Sequence, residues 1–235
     1  MEKNKIQYLR YYDIIFITII MFGIAIYSSI LDYKDIIYGV SNINENLYFS
    51  STEDWVSIII EIFELFIVFV YLYFRKFDFS KWKFKMGLKT ILKGILIYIV
   101  ASLIIDISSF VFSFNQFPLV YTGQFIAVSE FIKEFSISLI PFSILNGFFE
   151  EIFFLGICLS VKEKYIKYAL IYSMIIRVSF HTYQGMASAM TIGIGIGLLF
   201  YVAYTKYSNK NLAPVVIAHI ISDIFGAGII GFLVY

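Results

Sequence analysis

The chain has 235 residues and a formal net charge of +1, and 60% of its residues are hydrophobic and 20% aromatic; its mean hydropathy is +0.83. A soluble domain is about 45–50% apolar, so this excess excludes an ordinary soluble enzyme and points to an integral membrane protein. The near-neutral charge offers no nucleic-acid surface, and the single cysteine, Cys158, excludes an internal disulfide and a cysteine-based zinc cluster.

About 20 apolar residues cross the hydrocarbon core as a helix. That rule predicts spans at about 13–31, 55–74, 91–113, 136–159, 166–184, 186–205 and 212–233. The expected fold is therefore an all-α, polytopic membrane bundle of about seven transmembrane helices, within a range of six to eight. The first span is long and lacks a small-x-small cleavage site, so it reads as a retained helix and not as a signal peptide. Gly185 makes the turn between spans five and six very short. The whole chain, 1–235, reads as one membrane domain.

Charge orients the bundle. Basic residues concentrate at positions 3, 5 and 10, at 75–93, at 162–167, and at 206 and 210, which together hold 15 of the 18 lysines and arginines. By the positive-inside rule these regions face the cytoplasm, with the N-terminus inside and the C-terminus outside. The expected location is the cell membrane, and the lipid bilayer is one partner. The Arg75–Lys89 segment, RKFDFSKWKFKMGLK, alternates basic and aromatic residues and reads as a loop on anionic headgroups.

Ionisable groups inside the spans carry the functional signal, because each costs roughly 2.5–3.5 kcal/mol on insertion scales. In the second and third spans, Glu61, Glu64 and Asp106 read as packing or inter-helix hydrogen-bonding groups; an ion path is the other reading. Glu150 and Glu151 lie inside an apolar run. Neighbours on a helix point about 100° apart, so one can face a cavity while the other pairs with a cation. A plain hydrogen-bonded pair between helices is the alternative. Arg177 and His181 share a helix face one turn apart, His181 lying nearer the outer side. His219 and Asp223, spaced i, i+4, also share a face. A carboxylate in such a setting can act as a general base.

The order of these residues resembles the CPBP family, the CAAX proteases and bacteriocin-processing enzymes also called Abi proteins. The resemblance covers about 130–235, the expected catalytic core. It rests on Glu150-Glu151-Ile-Phe-Phe-Leu155, on Arg177-Val-Ser-Phe-His181 where the family usually has Phe-x-x-x-His, and on His219-Ile-Ile-Ser-Asp223 preceded by Leu212-Ala-Pro-Val-Val-Ile-Ala. It implies an intramembrane endopeptidase acting on a membrane-associated peptide or protein. Glu150 and His181 would activate a water, His219 and Asp223 would form the oxyanion side, and Glu151 and Arg177 would support them. No cofactor is required on this reading; were zinc used, Glu150, His181 and His219 would bind it. Two departures stand out. Leu155 occupies the family's arginine position, so Arg177 is expected to supply the missing cation to Glu151. Asp223 replaces the family's asparagine and is expected to orient His219. A non-catalytic bacteriocin-immunity or scaffold protein of the same fold is the alternative, and a small transporter using Glu61, Glu64 and Asp106 is a third. The sequence does not fix the oligomeric state.

Overall fold

A computed structural model describes residues 5–42, 50–113, 136–226 and 228. Helices dominate, and among the described residues β-structure is limited to two isolated bridges, Ile6–Phe77 and Lys83–Asn211. In chain order the helices are α1 (Tyr11–Ile37), α2 (Ser51–Phe74), α3 (Leu88–Ser113), α4 (Leu139–Ile157), α5 (Ile166–Phe180), α6 (Met186–Tyr207) and α7 (Ala213–Phe225).

Local chemistry sets the helix starts. The Asp13 carboxylate accepts from the Arg10 N–H at 2.8 Å and opens α1. Ser50 and Glu53 form a reciprocal capping box at α2, which satisfies two otherwise orphaned donors. Pro214 occupies the first turn of α7, where its missing N–H costs nothing.

Five helices, α1–α4 and α6, are long and apolar enough to cross a membrane. Their outward faces carry large exposed apolar side chains, among them Ile19, Phe63 and Phe66, each more than 60% exposed. Contiguous faces of this kind are at home against acyl chains, not water. The chain is a multi-pass membrane protein. The expected fifth span is shorter than the sequence suggests. α5 ends at Phe180, because His181 leaves helical geometry and residues Thr182–Gln184 form a 3₁₀ turn. Gly185 then takes φ +85°, a backbone conformation that suits glycine, and α6 starts. α7 runs to Phe225, and 227 and 229–233 of the seventh expected span lie outside the described residues.

The four basic regions meet at one end of the bundle. Ile6 N–H bonds to Lys76 O, Leu9 N–H to Ser160 O and Leu212 N–H to Lys83 O. Lys93 Nζ donates to Tyr207 O. That gathering is the arrangement the charge pattern predicts.

An aromatic knot fixes α1, α4 and α5. The Phe22 ring lies 4.7–5.5 Å, centroid to centroid, from Phe149, Phe153, Phe154 and Phe180. Such ring pairs add directional attraction to the burial itself. α7 packs against α3 and α4. It approaches α4 at Gly147, where a Cβ would come within 3.0 Å of Ile220. α2 runs parallel to α4, pinned at their starts by Ser138 Oγ donating to Asp54 at 2.6 Å.

Candidate active site

Three features of α4 place the glutamates. Its α-helical part ends at Glu151, and residues Ile152–Ile157 continue as a π-helix. π-turns inside helices occur often at functional sites. Phe153 and Phe154 of this turn belong to the aromatic knot, and α7 packs on the α-helical part that carries the glutamates. Glu151 is fully buried and Glu150 is 5% exposed.

Arg177, on α5, reaches both carboxylates. Its Nη2 donates to Glu151 Oε1 at 2.8 Å, and its Nη1 lies 3.7 Å from Glu150 Oε2. The guanidinium also stacks 4.0 Å over the Phe154 ring, a favourable cation–π geometry. Leu155 is buried in apolar surroundings, so the cation comes from the neighbouring helix, as the sequence suggested. Removing a guanidinium from two buried carboxylates would leave charge uncompensated, which is costly.

His219, on α7, completes the cluster. Its Nδ1 donates to Glu151 Oε1 at 2.8 Å. Its Nε2 lies 3.9 Å from Glu150 Oε2 and 3.5 Å from Asp223 Oδ1. The sequence assigned the orienting role on His219 to Asp223. The geometry gives the short bond to Glu151 instead, because Glu151 approaches the ring edge directly while the i+4 carboxylate stays beyond hydrogen-bond contact. Asp223 is held elsewhere: Asn146 Nδ2 donates to its Oδ2 at 2.9 Å.

His181 is buried, and its Nδ1 contacts the Arg177 carbonyl at 2.8 Å. This bond fixes the ring and favours a proton on Nδ1. Among the described residues His181 makes no hydrogen bond or ion pair with Glu150. It lies one helical turn from Arg177, whose guanidinium reaches both glutamates.

Asn146 and Tyr183 carried no role in the sequence reading, and Glu61 was read there as a packing or hydrogen-bonding group. Asn146 stands one turn before Glu150 on the same α4 face, a spacing visible in the sequence. Tyr183 stacks beside the His181 ring at 6.3 Å, and its hydroxyl accepts from Gln184 at 2.7 Å. Glu61 sits on the stripe Asp54, Ile58, Glu61, Leu65, Val68, Leu72, whose other members are all buried. Its Oε2 is buried without a hydrogen-bond partner. The stripe has the 3–4 spacing of a helix-packing seam, in keeping with the packing reading of Glu61.

The donor set was tested against zinc. Glu150, Glu151 and His219 each offer one ligand atom, all within 4.8 Å of one another. This grouping differs from the expected zinc set, since Glu151 replaces His181. The short Arg177 and His219 contacts to Glu151 Oε1 put a guanidinium where a divalent cation would add more positive charge. Zinc sites gather three or four anionic or neutral donors around the ion; a cluster already neutralised by arginine fits that chemistry poorly.

The cluster thus presents a buried carboxylate, Glu150, whose Oε2 has no hydrogen-bond partner. Beside it stand an imidazole and a second carboxylate, Glu151, whose Oε1 accepts from both Arg177 and His219. The arrangement suits proton transfer to and from a bound water. In comparison with known proteins, the family model described as type II CAAX prenyl endopeptidase Rce1-like matches residues 132–225. That stretch holds all six residues of the motif reading and bears out the CPBP resemblance. Comparison with curated proteins and with solved structures finds no match.

Proposed function

We propose that this membrane bundle is an intramembrane endopeptidase of the glutamate type, cutting a peptide bond in a membrane-associated peptide or protein. The observation that carries this reading is the Glu150 Oε2 atom, buried yet free of hydrogen bonds, between the Arg177 guanidinium and the His219 ring. A general base needs such an atom within reach of a water.

The reaction runs as follows. Water donates a proton to Glu150 as its oxygen bonds to the scissile carbonyl carbon. The carbonyl oxygen becomes an oxyanion, and the former carbonyl carbon becomes tetrahedral. His219 Nε2 faces that side; with Nδ1–H bound to Glu151, a second proton at Nε2 makes the ring an oxyanion donor. Preorganised donors of this kind typically contribute several kcal/mol to the rate. The C–N bond then breaks, and Glu150 returns its proton to the leaving amine. His181 assists Glu150 in holding the water. Arg177 and Glu151 keep His219 and Glu150 in register, and Asp223 with Asn146 lines the oxyanion side. No metal enters the scheme.

The reading includes a single membrane domain over 1–235 with its catalytic core at about 130–235, seven crossings, a cytoplasmic N-terminus and residence in the cell membrane. Substrate candidates are CAAX-like peptides, on the description of the matched family, and bacteriocin or pheromone precursors. The test is cleavage of a panel of such peptides by protein in nanodiscs. Wild type cleaves at least one, and Glu150→Gln cleaves none while retaining the wild-type unfolding temperature. Glu150→Gln that keeps full biological function would favour the immunity or scaffold alternative.

A further inference from the structure

A cavity opens at the basic end of the bundle, and neither Glu150 nor Glu151 lines it. It has a volume of about 980 Å³ and lies between the start of α1 and the start of α5. Drug-sized ligands occupy cavities of about 300–1,000 Å³, so this one exceeds the needs of a small ion.

Its lining is divided. Leu9, Ile14 and Val161 are buried and form an apolar floor. Arg10 and Lys162 are exposed and both line it, one from each segment. Arg75 also lines the cavity, but Asp13 holds its guanidinium at 2.8 and 3.2 Å. Arg10 and Lys162 have no ion pair among the described residues. Tyr165 and Tyr168 stand exposed at the rim, as tyrosines do where a span meets the headgroup layer. α1 and α5 both begin here, so their positive dipole ends face the same space.

We propose that this cavity binds the phosphate-bearing headgroup of an anionic phospholipid, with Arg10 and Lys162 as its cation clamp. The phosphodiester sits between the two cations, and the glycerol and first acyl carbons lie on the apolar floor. A basic cavity between helices at the membrane surface suits this ligand class. A free phosphate offers the same charge but nothing to cover Leu9, Ile14 and Val161.

The test is native mass spectrometry of the full chain released from detergent with added dioleoylphosphatidylglycerol, dioleoylphosphatidylcholine or inorganic phosphate. The expected result is retention of phosphatidylglycerol over phosphatidylcholine, weakened roughly tenfold or more in R10Q/K162Q. The charge-retaining pair R10K/K162R should hold the lipid, and the pair K83Q/K89Q, at the same end but outside the cavity, should leave binding unchanged. Equal loss in K83Q/K89Q would overturn the proposal in favour of diffuse surface attraction. Equal retention of phosphatidylcholine, or displacement of phosphatidylglycerol by inorganic phosphate, would overturn the lipid assignment. None of these readouts depends on peptide cleavage.

Discussion

Arg177→Gln should be among the most damaging single changes outside the catalytic glutamate. The substitution removes a guanidinium that lies 2.8 Å from Glu151 and 3.7 Å from Glu150, all three side chains being at most 6% exposed. Removing one partner of a buried ion pair typically costs about 3–5 kcal/mol, because the remaining charge stays buried without compensation. The stacking on Phe154 is lost as well, adding about 1 kcal/mol. Arg177→Lys keeps the charge but loses the forked reach to two carboxylates, so it should retain part of the stability. The double variant Arg177→Gln/Glu151→Gln removes both charges and should be more stable than Arg177→Gln alone. The assay is thermal and denaturant unfolding of wild type, Arg177→Gln, Glu151→Gln and the double variant in one detergent, analysed as a double-mutant cycle, with Arg177→Lys measured alongside. Adding Leu155→Arg to Arg177→Gln asks whether the cation can return from the family's usual position. The reasoning fails if Arg177→Gln unfolds within about 0.5 kcal/mol of wild type and the cycle shows no coupling, since contacting residues normally couple by more than that.

Other outcomes follow from the same geometry. Asp223→Asn should preserve or raise cleavage, since an amide can both meet His219 and donate to an oxyanion; Asp223→Ala should abolish it, as measured by kcat/KM on one cleaved peptide. Asn146→Leu, which leaves the Asp223 carboxylate without its 2.9 Å donor, should lower kcat by about tenfold or more while leaving KM near wild type, given that hydrogen bonds to charged groups contribute about 1.5–3 kcal/mol. Gly193→Ala should destabilise by about 1–3 kcal/mol through overpacking, because its Cβ would meet Val178 Cγ2 and the Val178 backbone. A melting curve unchanged by that substitution would mean that α5 and α6 are not as closely packed as described.

Much of this architecture was legible in the sequence because membranes impose strong rules. Apolar length predicted α1 to α4 and α6 closely, and lysine and arginine placement predicted which loops gather at one end. The pairing of Arg177 with Glu151 was legible from cost alone: an arginine inside a span demands an anion, and Leu155 had left one without a cation. Other features were hidden because they depend on neighbours across the bundle. The π-turn after Glu151 has no one-dimensional signature, and it helps set which glutamate meets which partner. His219 and Asp223 share a face, yet the short bond goes to Glu151, since i, i+4 spacing brings side chains near without fixing ring orientation. The early end of α5 at Phe180 reflects tertiary anchoring of the turn that follows, where Ser29 of α1 bonds Thr182 and the Tyr183 N–H. Glu61 was read as a packing group, and its place in the buried seam of α2 fits that reading. Asn146 was passed over because a lone asparagine in an apolar run reads as ordinary, although its spacing from Glu150 was visible.

The central claim is that Glu150 activates a water without a metal, and peptide cleavage by purified protein in nanodiscs tests it most directly. Wild type, Glu150→Ala and His181→Ala would be compared with and without a strong chelator. The account predicts that both variants lose cleavage and that chelation leaves the wild-type rate unchanged. Cleavage that disappears on chelation and returns with added zinc, or that persists in Glu150→Ala, would contradict it.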